Sequence, residues 1–240
     1  MGLVQDFLIL PQPDDTTCGP TCLHSVYGFY GDHQSLEDIV AQVPSLETGG
    51  TLAVILACHA LRRGYEATIF TYNLQLFDPS WFGAGQGALA SNLEAQAKVK
   101  TDAKLRFATE QYLAFLELGG QLRFKELTPD LISETLKANR PILTGLSATY
   151  LYGCPREVFR DRSYYDDING SPVGHFVVLY GYNEQTNQVL VADPLHDNPK
   201  FREAYYSIGI QRVIGAILLG ILTYDANLLI LEPKGGSIVR

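Results

Sequence analysis

The chain has 240 residues, of which 46% are hydrophobic and 18% charged, so it is long enough and apolar enough to fold around a core. Its formal net charge is −8 and it has no run of Lys and Arg, which argues against nucleic-acid binding and against attachment to anionic membranes. Four cysteines are too few for a disulfide scaffold, and the longest apolar stretch, 213–224, is too short to cross a bilayer. These features predict one cytoplasmic domain over 1–240, with reduced thiols and no membrane insertion.

The first part of the chain carries helix signals. Apolar residues at helical spacing predict a helix over 20–29, where the leading Pro is accepted in a first turn. Ser35 is a suitable cap for a second helix over 36–43. Residues 51–63 have the pattern of a buried third helix, with two Arg in its last turn and Gly64 after its end.

The middle of the chain has a different composition. Residues 88–118 are rich in Ala, Lys and Glu, which predicts one or two further helices. We interpret 73–121 as a helical insertion packed on the core, serving either as structural cover or as a lid over a substrate site. A Thr-Pro-Asp sequence at 128–130 then begins a helix that ends near Asn139.

Strand signals dominate the second half of the chain. Short runs rich in β-branched and aromatic residues predict four strands, at 67–72, 142–148, 175–182 and 188–192. A polar turn at 183–187 joins the last two as a hairpin. We predict a second hairpin from 216–223 and 228–231. Helices followed by an antiparallel sheet indicate an α+β fold.

The most informative segment is 11–20, which places Cys18 at the start of the first predicted helix. Free N–H groups and a partial positive charge at a helix N-terminus favour thiolate over thiol. Gly19 permits a tight turn beside the sulfur. Gln12 can reach over the helix start and, with the Cys18 backbone N–H, donate hydrogen bonds to a developing oxyanion. The segment therefore predicts a Cys nucleophile with a Gln oxyanion donor.

Two further residues complete a catalytic pattern. His175 stands at the start of an apolar strand, and Asp193 ends the strand paired with it in the predicted hairpin. This arrangement brings the two side chains together, so that the carboxylate can fix the imidazole tautomer. The order Gln, Cys, His, Asp fits the Cys-His-acid logic of papain-like hydrolases. Paired Cys-x-x-Cys or His-x-x-x-His spacings are absent from the sequence, so we expect no metal and no other cofactor.

The chain resembles the bacteriocin-processing (double-glycine leader) cysteine peptidase family and its stand-alone relatives. The resemblance rests on Gln12, Cys18-Gly19, Gly-His-Phe-Val-Val at 174–178 and Val-Ala-Asp-Pro at 191–194. It implies a papain-like α+β fold in which N-terminal helices pack on an antiparallel sheet.

The same resemblance implies a role for each of four residues. Cys18 would be the nucleophile, His175 the general base and acid, Asp193 the orienting residue and Gln12 the oxyanion donor. The best-known members are fused to a membrane transporter, whereas this chain carries no transmembrane segment. The fold and the site therefore transfer from the family, and its leader-peptide substrate does not.

Three functions fit this pattern. The first is a cysteine peptidase or amidase acting on a peptide or a peptide tail. The second is an acyl or peptidyl transferase with the same triad, and the third is a catalytically silent peptide-binding module. The complete Gln-Cys-His-Asp set favours an enzyme. Tyr150, Tyr152 and Arg156 are candidate substrate contacts, with aromatic packing around a long loop as the alternative interpretation.

Overall fold

A computed structural model describes residues 7–46, 49–159 and 163–235. The helices are α1 (Cys18–Phe29), α2 (Leu36–Gln42), α3 (Ala53–Arg62), α4 (Gln86–Val99), α5 (Ala103–Glu117), α6 (Pro129–Lys137), α7 (Ala148–Tyr152) and α8 (Ile210–Leu219), with short 3-10 helices at Pro79–Ala84 and Gly220–Thr223. The strands are β1 (Tyr65–Thr71), β2 (Gln121–Arg123), β3 (Ile142–Ser147), β4 (Glu157–Val158), β5 (Tyr164–Tyr165), β6 (Gly174–Asn183), β7 (Gln188–Ala192), β8 (Tyr205–Gly209) and β9 (Asn227–Pro233).

One seven-stranded sheet organises these elements, in the order β2-β1-β9-β3-β6-β7-β8. Its neighbouring strands are antiparallel except for β1 and β2, which are parallel. Strands β4 and β5 form a separate two-stranded sheet. The structure is therefore α+β with a mainly antiparallel sheet, as predicted.

Apolar side chains cover the large sheet on both faces. Along β9, Leu229 and Leu231 belong to the cluster built by α1, α3 and α5, while Leu228 and Ile230 belong to the cluster built by α6, α7 and α8. This alternation follows from the two-residue period of a strand. Strand β9 is thus buried from both sides near the middle of the sheet.

Helix α1 packs on β6, and this contact sets the position of the candidate nucleophile. The Cys22 thiol donates to the Phe176 carbonyl at 3.3 Å. A Cβ atom at Gly19 would lie 3.3 Å from the Phe176 ring and only 2.5 Å from Thr51 Cγ2, so glycine permits this close approach. The start of α1 is therefore held beside the start of β6.

The predicted early helices are confirmed, with small changes at their ends. The Ser35 side chain accepts the backbone N–H of Asp38 at 3.1 Å, and the Thr128 side chain caps α6 in the same way. The hairpin around 183–187 is confirmed by the pairing of β6 with β7.

The predicted hairpin of 216–223 and 228–231 is wrong. Residues 210–219 form α8, and 228–231 lie in β9, which pairs with β1 and β3. The buried residues of α8 are Ile210, Val213, Ala216 and Ile217. This helical spacing places them on one face of the helix, which packs on the core. The β-branched composition of this run suggested a strand, but its burial follows the helical period.

The segment 73–121 is mainly helical, as predicted. It contains a 3-10 helix, α4 and α5, and it ends at β2, which extends the large sheet beside β1. Tyr112 and Phe115 of α5 are buried in the same cluster as Leu56 of α3. The Cys58 thiol of α3 also donates to the Gln111 carbonyl at 3.7 Å. The segment therefore shares its core with the N-terminal helices.

Among the helices of the described ranges, none combines the length and the hydrophobicity that crossing a bilayer requires.

Candidate active site

Cys18 is the first residue of α1 and follows a turn built by Asp14. The Asp14 carboxylate accepts the Thr16 backbone N–H and the Thr16 hydroxyl, each at 2.7 Å. Thr17 occupies the capping position, but its side chain accepts no capping hydrogen bond. The N–H groups of the first turn, including that of Cys18, lack intrahelical acceptors. The helix start thus offers free donors next to a thiol that is 9% exposed.

His175 and Asp193 meet at the end of the hairpin formed by β6 and β7. The His175 Nε2 atom lies 2.8 Å from Asp193 Oδ1. His175 is 6% exposed and Asp193 is fully buried. Because a carboxylate only accepts, Nε2 carries the hydrogen of this bond, and Nδ1 is the ring nitrogen left for another partner.

Four donors converge on the Asp193 carboxylate. Besides His175, the Leu195 backbone N–H donates to Oδ1 at 2.9 Å. The hydroxyls of Tyr152 and Tyr206 donate to Oδ2 at 2.7 and 2.8 Å. Buried carboxylates need such donors, since an unpaired charge away from water is costly. The four hydrogen bonds also fix the plane of the carboxylate and hence the direction of the imidazole.

The imidazole is held in its protonated form. Burial alone would lower the pKa of His175, but the charge and hydrogen bond of Asp193, followed by those of Cys18, outweigh it and raise the pKa to about 10. At neutral pH the site therefore favours an imidazolium, which is the natural partner of a thiolate.

Gln12 lies in the wall of the same cleft. Its backbone N–H donates to the Pro194 carbonyl at 3.0 Å, which ties it to the loop after Asp193. Its side-chain Nε2 donates to the Asp14 carbonyl at 2.8 Å. An amide nitrogen carries two hydrogens, so one N–H remains for a substrate oxygen. The structure thus brings Gln12, Cys18 and His175 to one cleft, with Asp193 behind His175.

This cleft has a volume of about 430 Å³ and is walled by several parts of the chain. Cys18, His175 and Gln12 lie on one side, and the exposed aromatic rings of Phe159, Tyr164 and Tyr165 line another. Further polar lining residues come from three elements and the loops between them: Asp15, Thr16, Lys104, Glu157, Ser163, Thr223 and Asp225.

The three candidate substrate contacts lie in different places. Tyr152 lines the cleft and bonds Asp193. Tyr150 is 41% exposed and packs under Arg212, whose guanidinium lies 5.2 Å from its ring centre. Arg156 donates to the Asp167 carbonyl. Neither Tyr150 nor Arg156 is among the residues that line the cleft, so their contact with substrate stays a prediction.

Sequence reasoning missed Tyr206 and assigned Tyr152 to substrate alone. Tyr206 and Ile208 are the buried residues of β8, alternating with exposed neighbours. That period of two is a strand signal, but two apolar positions are too few to distinguish a strand from a loop. Asp225 was missed because it fell in the turn of the predicted hairpin of 216–223 and 228–231.

The remaining cysteines have structural surroundings. Burial raises the pKa of the Cys22 thiol well above its ordinary range and that of Cys58 to about 11. Cys154 is half-buried near Glu157, and these two features raise its pKa as well. In the described ranges, His, Cys, Asp and Glu side chains form no group of three that could hold a metal ion.

Comparison with known structures gives several chains of similar fold. A Bacillus anthracis protein described as a C39-like peptidase shares a TM-score of 0.51 at 12% identity, over 97% of this chain and 96% of that one. The peptidase domain of Streptococcus ComA, a bi-functional ABC transporter, gives 0.45 at 15% identity, over 95% and 99%. A double glycine motif protease from an AMS/PCAT transporter, in complex with its leader peptide, gives 0.43 at 14% identity, over 95% and 91%.

The family assignment rests on a separate comparison. No curated protein matches the chain. The model of the Peptidase_C39 like family matches residues 4–213, which include Gln12, Cys18, His175 and Asp193. This match spans most of the sequence and confirms the resemblance and the papain-like α+β fold, so the chain belongs to the Peptidase_C39 like family.

Proposed function

We propose that this protein is a cysteine peptidase or amidase that cleaves an amide bond of a peptide through Cys18, His175 and Asp193, with Gln12 as oxyanion donor. The observation that carries the proposal is the meeting of a helix-start Cys, a buried His–Asp pair and a free amide donor at one cleft. Membership of a peptidase family supports the same chemistry. The catalytic groups lie within the chain, so the reaction needs no cofactor.

The reaction begins with attack of the Cys18 thiolate on the substrate carbonyl carbon. The negative charge moves to the carbonyl oxygen, where the Gln12 amide and the Cys18 backbone N–H donate to it. The C–N bond then breaks, and His175 gives its proton to the leaving amine, which leaves Cys18 as a thioester. Water, deprotonated by His175, attacks the thioester, releases the acid and returns the thiolate.

Asp193 keeps the imidazole in place through this cycle. It accepts from Nε2, so Nδ1 is the nitrogen that faces the thiol and exchanges the proton. The pKa of His175, raised to about 10, favours an imidazolium at neutral pH. This cation supplies the proton for the leaving group.

A peptide is the substrate class that the cleft suits. Its opening is lined by three exposed aromatic rings, which can pack on an extended chain. A transferase with the same triad would pass the acyl group of the thioester to an amine instead of water. Product analysis distinguishes the two: free acid indicates hydrolysis, and a new amide indicates transfer.

Alkylation by iodoacetamide, mapped by mass spectrometry from pH 5 to 10, tests the proposal. We expect Cys18 to react at pH 6 roughly tenfold or more faster than Cys154 in the same molecule, because an ion-paired thiolate persists at low pH. His175→Ala should remove this advantage. The proposal would be contradicted if the alkylation rate of Cys18 had the pH dependence of an ordinary thiol and were unchanged in His175→Ala. That result would favour the catalytically silent peptide-binding module.

A further inference from the structure

A carboxyl group that is not part of the Cys18-His175-Asp193 set lines the cleft. Asp225 lines the cleft on the turn between the 3-10 helix Gly220–Thr223 and β9. It is 5% exposed. Its Oδ1 atom is buried and accepts no hydrogen bond from any residue of the described ranges. Native proteins rarely leave a buried carboxylate oxygen without a donor, so the Asp225 carboxyl group calls for an explanation.

Glycines on two neighbouring strands make room for this carboxyl group. A Cβ atom at Gly145 of β3 would lie 2.6 Å from Asp225 Cγ, and one at Gly174 of β6 would lie 3.3 Å from Asp225 Oδ2. Gly174 directly precedes His175, so the carboxyl group is one residue along the strand from the catalytic imidazole. Any side chain at either glycine would compete with Asp225 for the space it occupies.

The backbone around Asp225 is held in an unusual conformation. Tyr224 and Ala226, on either side of it, have φ angles of 70° and 66°. This left-handed region is energetically unfavourable for residues other than glycine. The Asn73 side chain donates to the Tyr224 carbonyl at 3.0 Å, and the Tyr72 N–H donates to the Ala226 carbonyl at 2.9 Å. These hydrogen bonds hold the main chain on both sides of Asp225.

Asp225 forms no ion pair with a residue of the described ranges. The nearest cation is Lys104 of the inserted segment, which donates to the Thr223 carbonyl at 3.5 Å and lies 4.7 Å from the centre of the Tyr224 ring. Two further acidic residues, Asp15 and Glu157, line the same cleft.

Burial sets the protonation of this group. Burial raises the pKa of Asp225 to about 7, although Lys104 and Thr223 act in the opposite direction. A cation brought to the carboxyl group would stabilise its charged form and lower its pKa. Amine and guanidinium groups are the cations that a peptide can offer.

We propose that Asp225 forms the base of a specificity subsite that takes a cationic side chain, Lys or Arg, of the peptide substrate. The proposal rests on the proposed function, because the subsite opens into the cleft of Cys18. Lys104 places a positive charge near the Asp225 carboxylate when the cleft is empty. It therefore competes with the cationic side chain of the substrate for this carboxylate.

Matched affinity labels test this subsite. N-acetyl tripeptidyl chloromethyl ketones alkylate Cys18, and one pair of labels at each of the three positions differs only by Lys or norleucine. The concentration that half-saturates labelling reports binding in the cleft, while the limiting rate reports the reactivity of the thiol. At one position we expect the Lys label to half-saturate at a concentration about tenfold below that of the norleucine label.

Three variants assign that preference to Asp225. Asp225→Asn, which keeps the shape of the side chain, should abolish the Lys preference. Glu157→Gln, the same kind of change elsewhere in the cleft, should retain it. Lys104→Met should increase it, because the competing cation is removed. Circular dichroism of each variant checks its fold.

Each result decides one question. Equal half-saturation by Lys and norleucine labels at all three positions of the wild-type protein overturns the subsite without any variant. A preference that survives in Asp225→Asn, or that is lost in Glu157→Gln instead, also overturns it. A low limiting rate with a clear Lys preference contradicts the proposed catalysis and leaves the subsite standing, so the two failures are distinguishable.

Discussion

Asp193 is the most highly coordinated side chain of the site. Its two oxygens accept from one imidazole, one backbone N–H and two tyrosine hydroxyls. A His–acid pair needs only the first of these. We therefore expect the two tyrosines, Tyr152 from α7 and Tyr206 from β8, to act as positioning residues through the carboxylate.

Removing one hydroxyl tests this positioning role. Tyr206→Phe should lower kcat about tenfold with little change in KM, because it loosens the carboxylate that orients His175 and touches no substrate. The pH profile of Cys18 alkylation should shift as well. Tyr205→Phe is the matched control, since the Tyr205 hydroxyl accepts from the Ile9 N–H at 2.8 Å, away from Asp193. Equal kcat values for Tyr206→Phe and Tyr205→Phe would contradict a positioning role for Tyr206.

The residues of the site differ in how far sequence reasoning can reach them. Cys18, His175 and Asp193 stand at the ends of elements with recognisable patterns. The structure places Cys18, His175 and Gln12 around one cleft, with Asp193 behind His175. Tyr206 and Asp225 depend on tertiary packing instead. Their neighbours in space, Asp193 and Gly145, are distant in sequence, and no local spacing links them.

At the scale of elements, the packing of α1 is tightest at its first turn. Gly19→Ala would place a Cβ atom 2.5 Å from Thr51 Cγ2, so the helix start must move. We expect a loss of about 1–3 kcal/mol in the free energy of unfolding, together with slower alkylation of Cys18. Chemical denaturation and the labelling rate measure the two effects.

The same helix offers a matched control. Gly28 is exposed, and a Cβ atom there would meet nothing within 4 Å. Gly28→Ala should therefore stabilise the protein by about 0.5–1 kcal/mol, because alanine favours a helix. If both substitutions changed stability by the same amount, the packing of Gly19 would not explain its presence.

Element types follow from local sequence only where packing agrees with composition. Ser35 and Thr128 specify their helices through capping hydrogen bonds, which are local. The run 210–219 has the composition of a strand, but its buried residues recur with the period of a helix. It forms a helix because that period places them against the core. Strand β2 pairs with a segment far away in sequence, and its three residues give no periodic signal.

At the scale of the whole molecule, the inserted segment and the N-terminal helices share one apolar cluster. Phe115 of α5 is fully buried in it, close to Gly120. A lid that closed over the cleft as a separate body would not bury its largest side chains in the main core. Segment 73–121 is therefore expected to unfold together with the rest of the chain.

One substitution tests this cooperativity. Phe115→Ala should lower the free energy of unfolding by about 3–5 kcal/mol. The single tryptophan, Trp81, lies in the inserted segment, so its fluorescence reports that segment, while far-ultraviolet circular dichroism reports the whole chain. Both signals should show the same, lowered midpoint. A fluorescence transition that preceded the other would identify the segment as an independent unit.

The backbone hydrogen bond from Gln12 to Pro194 has a mechanical consequence. It joins the segment that carries Gln12 to the loop that carries Asp193, although the two residues are far apart in the sequence. One wall of the cleft is thus braced by main-chain bonding, while the facing wall at 157–158 and 164–165 rests on two-residue strands. We therefore expect a bulky peptide to widen the groove by displacing the wall at 157–158 and 164–165, while Gln12 and Asp193 keep their positions.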